Sequence, residues 1–240
     1  MKNFGDYSEY SRFFSSGAAH VFAKLNHHLL DRKIDSTTAN EKILEIGPGA
    51  SPHFLYRNMN GVEAYWMSDF STVLTPQKFK TSFDLYYHYI DKDPLYKKLL
   101  DSDLRFTRII ASQSLEHIPK PEHAFLSWVS LMSPDSQIDI SLPCDPGLLW
   151  RLCQICSRSK VKKIYGFSAH EYDLIMAREH INSAHNLMRI INYYAPSASV
   201  IHFPTLLPSI NSNLIISISI RYHDIDFDRV EKNKNLLDAF

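Results

Sequence analysis

The stretch EKILEIGPGASPHF, residues 41–54, limits what this chain can fold into more than any other. Ile43, Leu44 and Ile46 form an apolar run of strand length that stops at Gly47 and Gly49, while Pro52 suits the first turn of a helix. Glycine has no Cβ, so the turn can take positive φ and let another group lie against bare backbone. The expected local order is strand, tight turn, helix. That unit opens a parallel sheet whose ligands sit outside the carboxyl ends of the strands, where the helix offers unpaired N–H groups.

The rest of the chain continues the pattern. VEAYWMSDFS reads as a second strand ending in Asp69 and LYYHYID as a third ending in Asp91. FTRIIASQS and IDISLPCD are two further strands, separated by a helix in which Ala124, Phe125, Trp128, Val129 and Met132 recur at helical spacing. Strands alternating with helices predict an α/β, Rossmann-like doubly wound sheet. Upstream, residues 8–32 read as two helices joined at Gly17-Ala18-Ala19. Downstream, residues 147–195 read as mostly helical, followed by ASVIHFP and the strongly β NLIISISIRY. Leu174, Ala177, Ile181, Ala184, Met188 and Ile191 keep a three-four spacing, which predicts one helix with a single buried seam. A chain of 240 residues, 45% hydrophobic, holds one sizeable core. The expected division is a single domain: residues 1–40 a helical lid, 41–146 the cofactor-binding core, 147–195 a helical substrate insert, and 196–240 closing strands and tail.

Charge excludes some functions. Lys+Arg and Asp+Glu both number 26, so there is no basic excess for a nucleic-acid backbone, and no nucleic acid is expected as partner. No stretch reaches the length of apolar residues that a membrane span needs, and MKNFGDYSEYSRFF lacks a signal-peptide core, so membrane insertion is not expected and a cytoplasmic setting is. Cys144, Cys153 and Cys156 fit a reducing compartment better than a disulfide scaffold. Cys153 and Cys156 form a CxxC, but no second pair completes a zinc site, and no metal is expected.

Three carboxylates stand in register with the glycine turn. Glu45 lies two residues before Gly47, Asp69 ends the second strand where a carboxylate can take both hydroxyls of a ribose, and Asp91 ends the third. ILEIGPGASP, YWMSDFS, YHYID and IIASQSLEHIPKPEHAF together resemble the motifs of class I S-adenosylmethionine-dependent methyltransferases, over about residues 41–145. HFPTLLPSINSNLIISISI is similar to the last two strands of that fold, which implies a seven-stranded sheet, mostly parallel with an antiparallel last strand. The resemblance implies that S-adenosylmethionine is the cofactor. Glu45, Gly47 and Gly49 would hold its methionine part, Asp69 its ribose and Asp91 its adenine, with Gln113 to His117 lining the space toward the acceptor. Where the family often has a third glycine this chain has Ser51. A dinucleotide fingerprint would need glycine at Pro52, which counts against an NAD-linked oxidoreductase.

Methyl transfer needs alignment of an acceptor lone pair with the methyl, and a base only if the acceptor must lose a proton. His117, after the fourth strand, and His180 are the candidate bases. Asp173, Trp150 and Arg151 are candidate substrate contacts in the insert, and Arg12 in the N-terminal helices could reach the cofactor's carboxylate. The expected activity is methyl transfer to an O or N atom of a small molecule or saccharide intermediate. The alternatives are a regulatory protein that binds the cofactor without turnover, or redox or aminopropyl-transfer chemistry in the same pocket.

Overall fold

A computed structural model describes residues 17–32, 40–49, 51–70, 79–93 and 96–237. A helix, α1 (Gly17–Leu30), precedes β1 (Glu41–Ile46), β2 (Val62–Asp69) and β3 (Asp84–Tyr89). Short α2 (Lys97–Asp101), β4 (Phe106–Ser112), α3 (Pro121–Ser130) and β5 (Met132–Pro143) follow. Three helices, α4 (Leu148–Tyr165), α5 (Ala169–Glu179) and α6 (Ala184–Tyr194), lead to β6 (Ser199–Phe203), β7 (Ile215–Arg221) and α7 (Phe227–Leu237). The strands form one sheet in the order β3-β2-β1-β4-β5-β7-β6. The pairs from β3 to β5 are parallel, and β7 runs antiparallel to both of its neighbours. The reversal between β1 and β4 places the carboxyl ends of those two strands side by side, the usual position of a ligand crevice.

The period-two alternation of strands sends alternate residues to opposite faces. Leu44, Ile46, Ile109 and Ala111 pack with Phe125, Trp128, Leu187, Ile191 and Tyr194 on one face, while Ile43, Tyr65, Met67 and Ile110 pack with Leu30 on the other.

Three elements differ from the expected ones. The helix expected after the glycine turn is one 3-10 turn, His53–Leu55. Asn58 Oδ1 accepts the Asn60 amide and Gly61 takes a φ of +86°, so a turn displaces further helix. Of the expected lid, residues 17–30 pack on the sheet, and residues 1–16 and 33–39 lie outside the described residues. Ala23, Asn26, His27, Leu29 and Leu30 are buried, and α1 is fastened to the sheet by Asn26 Nδ2 donating to Ser112 Oγ at 2.7 Å and Ser217 Oγ donating to the Leu29 carbonyl. The single helix expected through residues 174–191 is two. It stops at Glu179 and restarts at Ser183, whose hydroxyl caps α6 by accepting the Asn186 amide, leaving Leu174 and Ile181 exposed. Residues 227–237 form a helix where a tail is expected. Among the described residues no helix is long and apolar enough to cross a membrane.

Under α1 lies a buried polar cluster. Glu45 accepts the His53 amide at 2.9 and 3.1 Å and the Tyr65 hydroxyl at 2.6 Å. His53 Nε2 lies 2.9 Å from Asp31 Oδ1, and since a carboxylate only accepts, Nε2 carries the proton. The neutral ring then accepts at Nδ1, 2.9 Å from His27 Nδ1, which must donate. Burial, followed by the proximity of the His53 ring, pushes His27 down to about 3. The unfolded chain binds a proton there below about pH 6.5 that the native chain refuses, so this contribution to stability is full above pH 6.5 and is lost as pH falls toward 3. Between pH 7 and 5 the wild type should therefore lose about 2 kcal/mol more than His27→Phe, whose ring can keep the stack on Tyr56. Urea midpoints at the two pH values measure this. Equal losses would mean that His27 is charged in the native protein.

Candidate functional site

The glycine turn sits at the carboxyl edge. Gly47 has a φ of +63°, and a Cβ there would stand 2.6 Å from the Ser114 Cβ, so the turn approaches the end of β4 as only glycine allows. Gly49 has a φ of +55° with nothing within 4 Å of where a Cβ would stand, so it borders open space. Asp69 braces this turn. Its Oδ2 accepts the Gly49 amide at 3.1 Å and its Oδ1 the Phe70 amide at 2.8 Å, which leaves a lone pair on each oxygen. Burial raises the Asp69 pKa against those two bonds.

Glu45 occupies a different place from the open side of the turn. It is fully buried, and its bonds to His53 and Tyr65 hold the segment after the turn from beneath. Burial pushes it up to about 8, against those hydrogen bonds. It is a positioning residue for the loop. Asp91 is exposed beyond the end of β3, where the Ile90 amide donates to the Asp69 carbonyl and keeps the two strand ends adjacent. The neighbouring Asp93 is committed to His88 and to the amides of Lys97 and Lys98 at the start of α2. Arg12 lies outside the described residues.

The turn after β4 carries Gln113 at a φ of +50°, its amide donating to the Ser141 carbonyl. Gln113 Nε2, Ser114 Oγ, Ser141 Oγ and Asn26 Oδ1 are buried polar atoms without a hydrogen-bond partner among the described residues. Buried polar groups are ordinarily paired, so these four atoms near the carboxyl ends of β4 and β5 are open to pairing with water or with a bound polar group.

Beyond Gln113 the two candidate histidines converge. Their rings meet edge to face with centroids 5.0 Å apart. His117 Nδ1 lies 2.7 Å from the Glu179 carbonyl, which only accepts, so Nδ1 donates and Nε2 is the nitrogen left over. His180 Nδ1 lies 2.8 Å from Asp145 Oδ2 and donates to it in the same way. His180 is the residue that caps the carboxyl end of α5. Trp150 lies near it, with ring centroids 6.0 Å apart and planes 25° from parallel, and meets Phe22 of α1 on another side. Trp150 Nε1 is also buried without a partner.

A cleft of about 540 Å³ opens between α4 and α5, lined by Asp145, Arg151, Gln154, Arg158, Asp173 and His180 among others. Arg151, Asp173 and His180 are thus brought together. Asp173 is held by a bidentate pair with Arg158, 3.1 and 2.6 Å. The cleft offers cations, carboxylates and an amide. Cys153 and Cys156 are exposed on α4. Sequence reasoning missed Asn26, Glu116 and Asp145. Asp145 had a signal, a carboxylate just past the end of strand five, while Glu116 lay in the same LEH run that drew attention to His117.

Seven strands in this order with β7 reversed, and a glycine turn beside a carboxylate at the end of β2, make this the class I S-adenosylmethionine-dependent methyltransferase fold. A carbon methyltransferase, CurJ, is similar with a TM-score of 0.57 and 16% identity over 91% of this chain, which spans 58% of the CurJ chain. A methyltransferase from Archaeoglobus fulgidus gives 0.57 at 14% identity, covering 90% of this chain and 99% of that one. The plantazolicin methyltransferase BpumL, solved with S-adenosylhomocysteine and a desmethylplantazolicin analogue, gives 0.57 at 12% identity over 89% of each chain. No family model matches the sequence, and no curated protein matches it either.

Proposed function

We propose that this protein is an S-adenosylmethionine-dependent methyltransferase acting on an O or N atom of a polar small molecule, with a saccharide intermediate as the favoured acceptor class. The observation that carries the cofactor reading is the carboxyl edge itself. An open glycine turn, a buried carboxylate with a spare lone pair on each oxygen, and the unpartnered Asn26 Oδ1, Gln113 Nε2 and Ser114 Oγ fit a ligand with hydroxyl, carboxylate and amino groups. Asp69 would take the ribose hydroxyls, Gly47 and Gly49 would leave room for the methionine part, and the exposed Asp91 would meet the adenine. The bound cofactor supplies a methyl group on a sulfonium, and the residues here orient the acceptor and exclude water. The cleft supports the acceptor reading, since its mixture of arginine, aspartate, glutamine and histidine suits a ligand rich in hydroxyls.

Calorimetry tests the cofactor. S-adenosylhomocysteine should bind saturably and NAD should not, because Pro52 stands where a dinucleotide fingerprint needs glycine. Asp69→Ala should weaken that binding by about 1–3 kcal/mol. The reverse preference, NAD over the sulfur nucleoside, would sink the proposal. Conversion of S-adenosylmethionine to S-adenosylhomocysteine in the presence of candidate acceptors separates an enzyme from a non-catalytic binder.

Gly49→Val extends the test to the turn. A valine at φ +55° costs about 1–2 kcal/mol in backbone strain, but its branched side chain meets open space and not the core. Cofactor binding should vanish while a cooperative melt remains. Loss of the fold would assign this glycine to the turn alone.

A further inference from the structure

Glu116, His117 and His180 come together as a group, and a base role for the two histidines leaves the buried Glu116 unexplained. One ligand-type atom from each lies within 4.8 Å of the other two. Glu116 is 2% exposed, its Oε2 has no hydrogen-bond partner among the described residues, and its Oε1 stands 3.7 Å from His117 Nε2. A buried carboxylate oxygen with nothing to accept from is costly to maintain. Two imidazoles on its open side each have Nδ1 engaged elsewhere, by the Glu179 carbonyl and by Asp145 Oδ2.

This is the arrangement that metal-binding histidines take, in which one ring nitrogen donates to a carbonyl or carboxylate and the other is left to the ion. We propose that Glu116, His117 and His180 form a site for a divalent transition-metal ion, with Asp145 and the Glu179 carbonyl orienting the two rings. Two imidazoles and one carboxylate suit zinc, cobalt or iron, and are a poor set for magnesium, which prefers oxygen ligands. Ligands at about 2.1 Å around a tetrahedral ion stand about 3.4 Å apart, so small side-chain rotations close the group observed here. A triad of this kind leaves coordination positions open, and His180 and Asp145 also line the cleft between α4 and α5.

The chain has 12 histidines, so stray binding must be separated from the site. Chelator-stripped, tag-free protein titrated with Co²⁺ should develop visible d–d absorption that saturates at one equivalent and is displaced by Zn²⁺. Glu116→Gln, His117→Ala and His180→Ala should each weaken Co²⁺ binding at least about a hundredfold, and Asp145→Ala, which removes only the orienting partner, by about 10–100-fold. Glu116 is buried and its variant can unfold, but His117 is partly exposed, so a folded His117→Ala protein decides the matter. No saturable Co²⁺ binding by the wild type, binding of Mg²⁺ alone, or wild-type affinity in folded His117→Ala and His180→Ala would each overturn the site. S-adenosylhomocysteine titrated into the same stripped protein reports on the methyltransferase reading independently.

Discussion

Arg108→Ala should destabilise the protein by about 3–5 kcal/mol, the largest stability effect expected of any single substitution outside the apolar core. Arg108 is 1% exposed at the centre of the sheet. Its Nε donates to Asp139 Oδ2 at 2.7 Å, Nη1 to Asp31 Oδ1 at 3.0 Å, and Nη2 to the Leu30 carbonyl at 3.0 Å. One guanidinium thus joins β4, β5 and the end of α1. Truncating it leaves Asp139, itself 1% exposed, with only the Gln137 amide, and frees Asp31 from one of the charges that hold it at about 2 against the opposing effect of burial. The loss is large because an uncompensated charge stays in the interior, not because an ion pair was strongly favourable. Arg108→Met with Asp139→Leu should therefore recover much of the stability that either single substitution loses. Chemical denaturation of the three variants measures this. Additive losses in the double variant would mean that the two groups are not coupled.

This network also marks the boundary of what the sequence makes legible. The sheet was readable because β1 and β4 carry short apolar runs and β5 alternates Ile138, Ile140 and Leu142 with polar residues, and because Gly47, Gly49, Asp69 and Asp91 fall at strand ends, where a parallel sheet collects its chemistry. The N-terminal helix was readable as a helix but not as a layer of the core. Its docking depends on Asn26, His27 and Asp31 meeting Ser112, His53 and Arg108, partners 22 to 86 residues away whose types alone do not announce a contact. The break at residues 180–183 was hidden for a related reason. Apolar spacing runs unbroken from Leu174 to Ile191, yet the Asn182 amide donates to the Glu116 carbonyl and its side chain to that of Ile118, and these tertiary bonds override local helical preference. The same break carries His180 away from a helix face and onto His117, so the feature misread as regular helix is what assembles the site.

The second large effect should fall on turnover. His117→Ala and His180→Ala are each expected to lower methyl transfer by about 10²–10⁴-fold while S-adenosylhomocysteine affinity and the melt change little. Each ring is held through Nδ1, which leaves Nε2 as the nitrogen that can accept a proton from an acceptor hydroxyl when the ring is neutral, or hold an ion that polarises it. The hydrogen-bond partners of the two rings are Glu179 and Asp145, not the glycine turn or Asp69, which is why cofactor affinity should be spared. Because the rings meet with centroids 5.0 Å apart, they would serve one acceptor, and the double variant should then lose little more than the worse single one. Independent roles would instead multiply the two losses. Asp145→Ala should produce a smaller drop, since it frees His180 to rotate without removing its lone pair. The measurements are single-turnover rates with each variant beside calorimetric S-adenosylhomocysteine affinity. If both histidine variants stay folded and keep near-normal rates, the acceptor needs no activation by these rings, and catalysis rests on alignment and exclusion of water at the carboxyl edge alone.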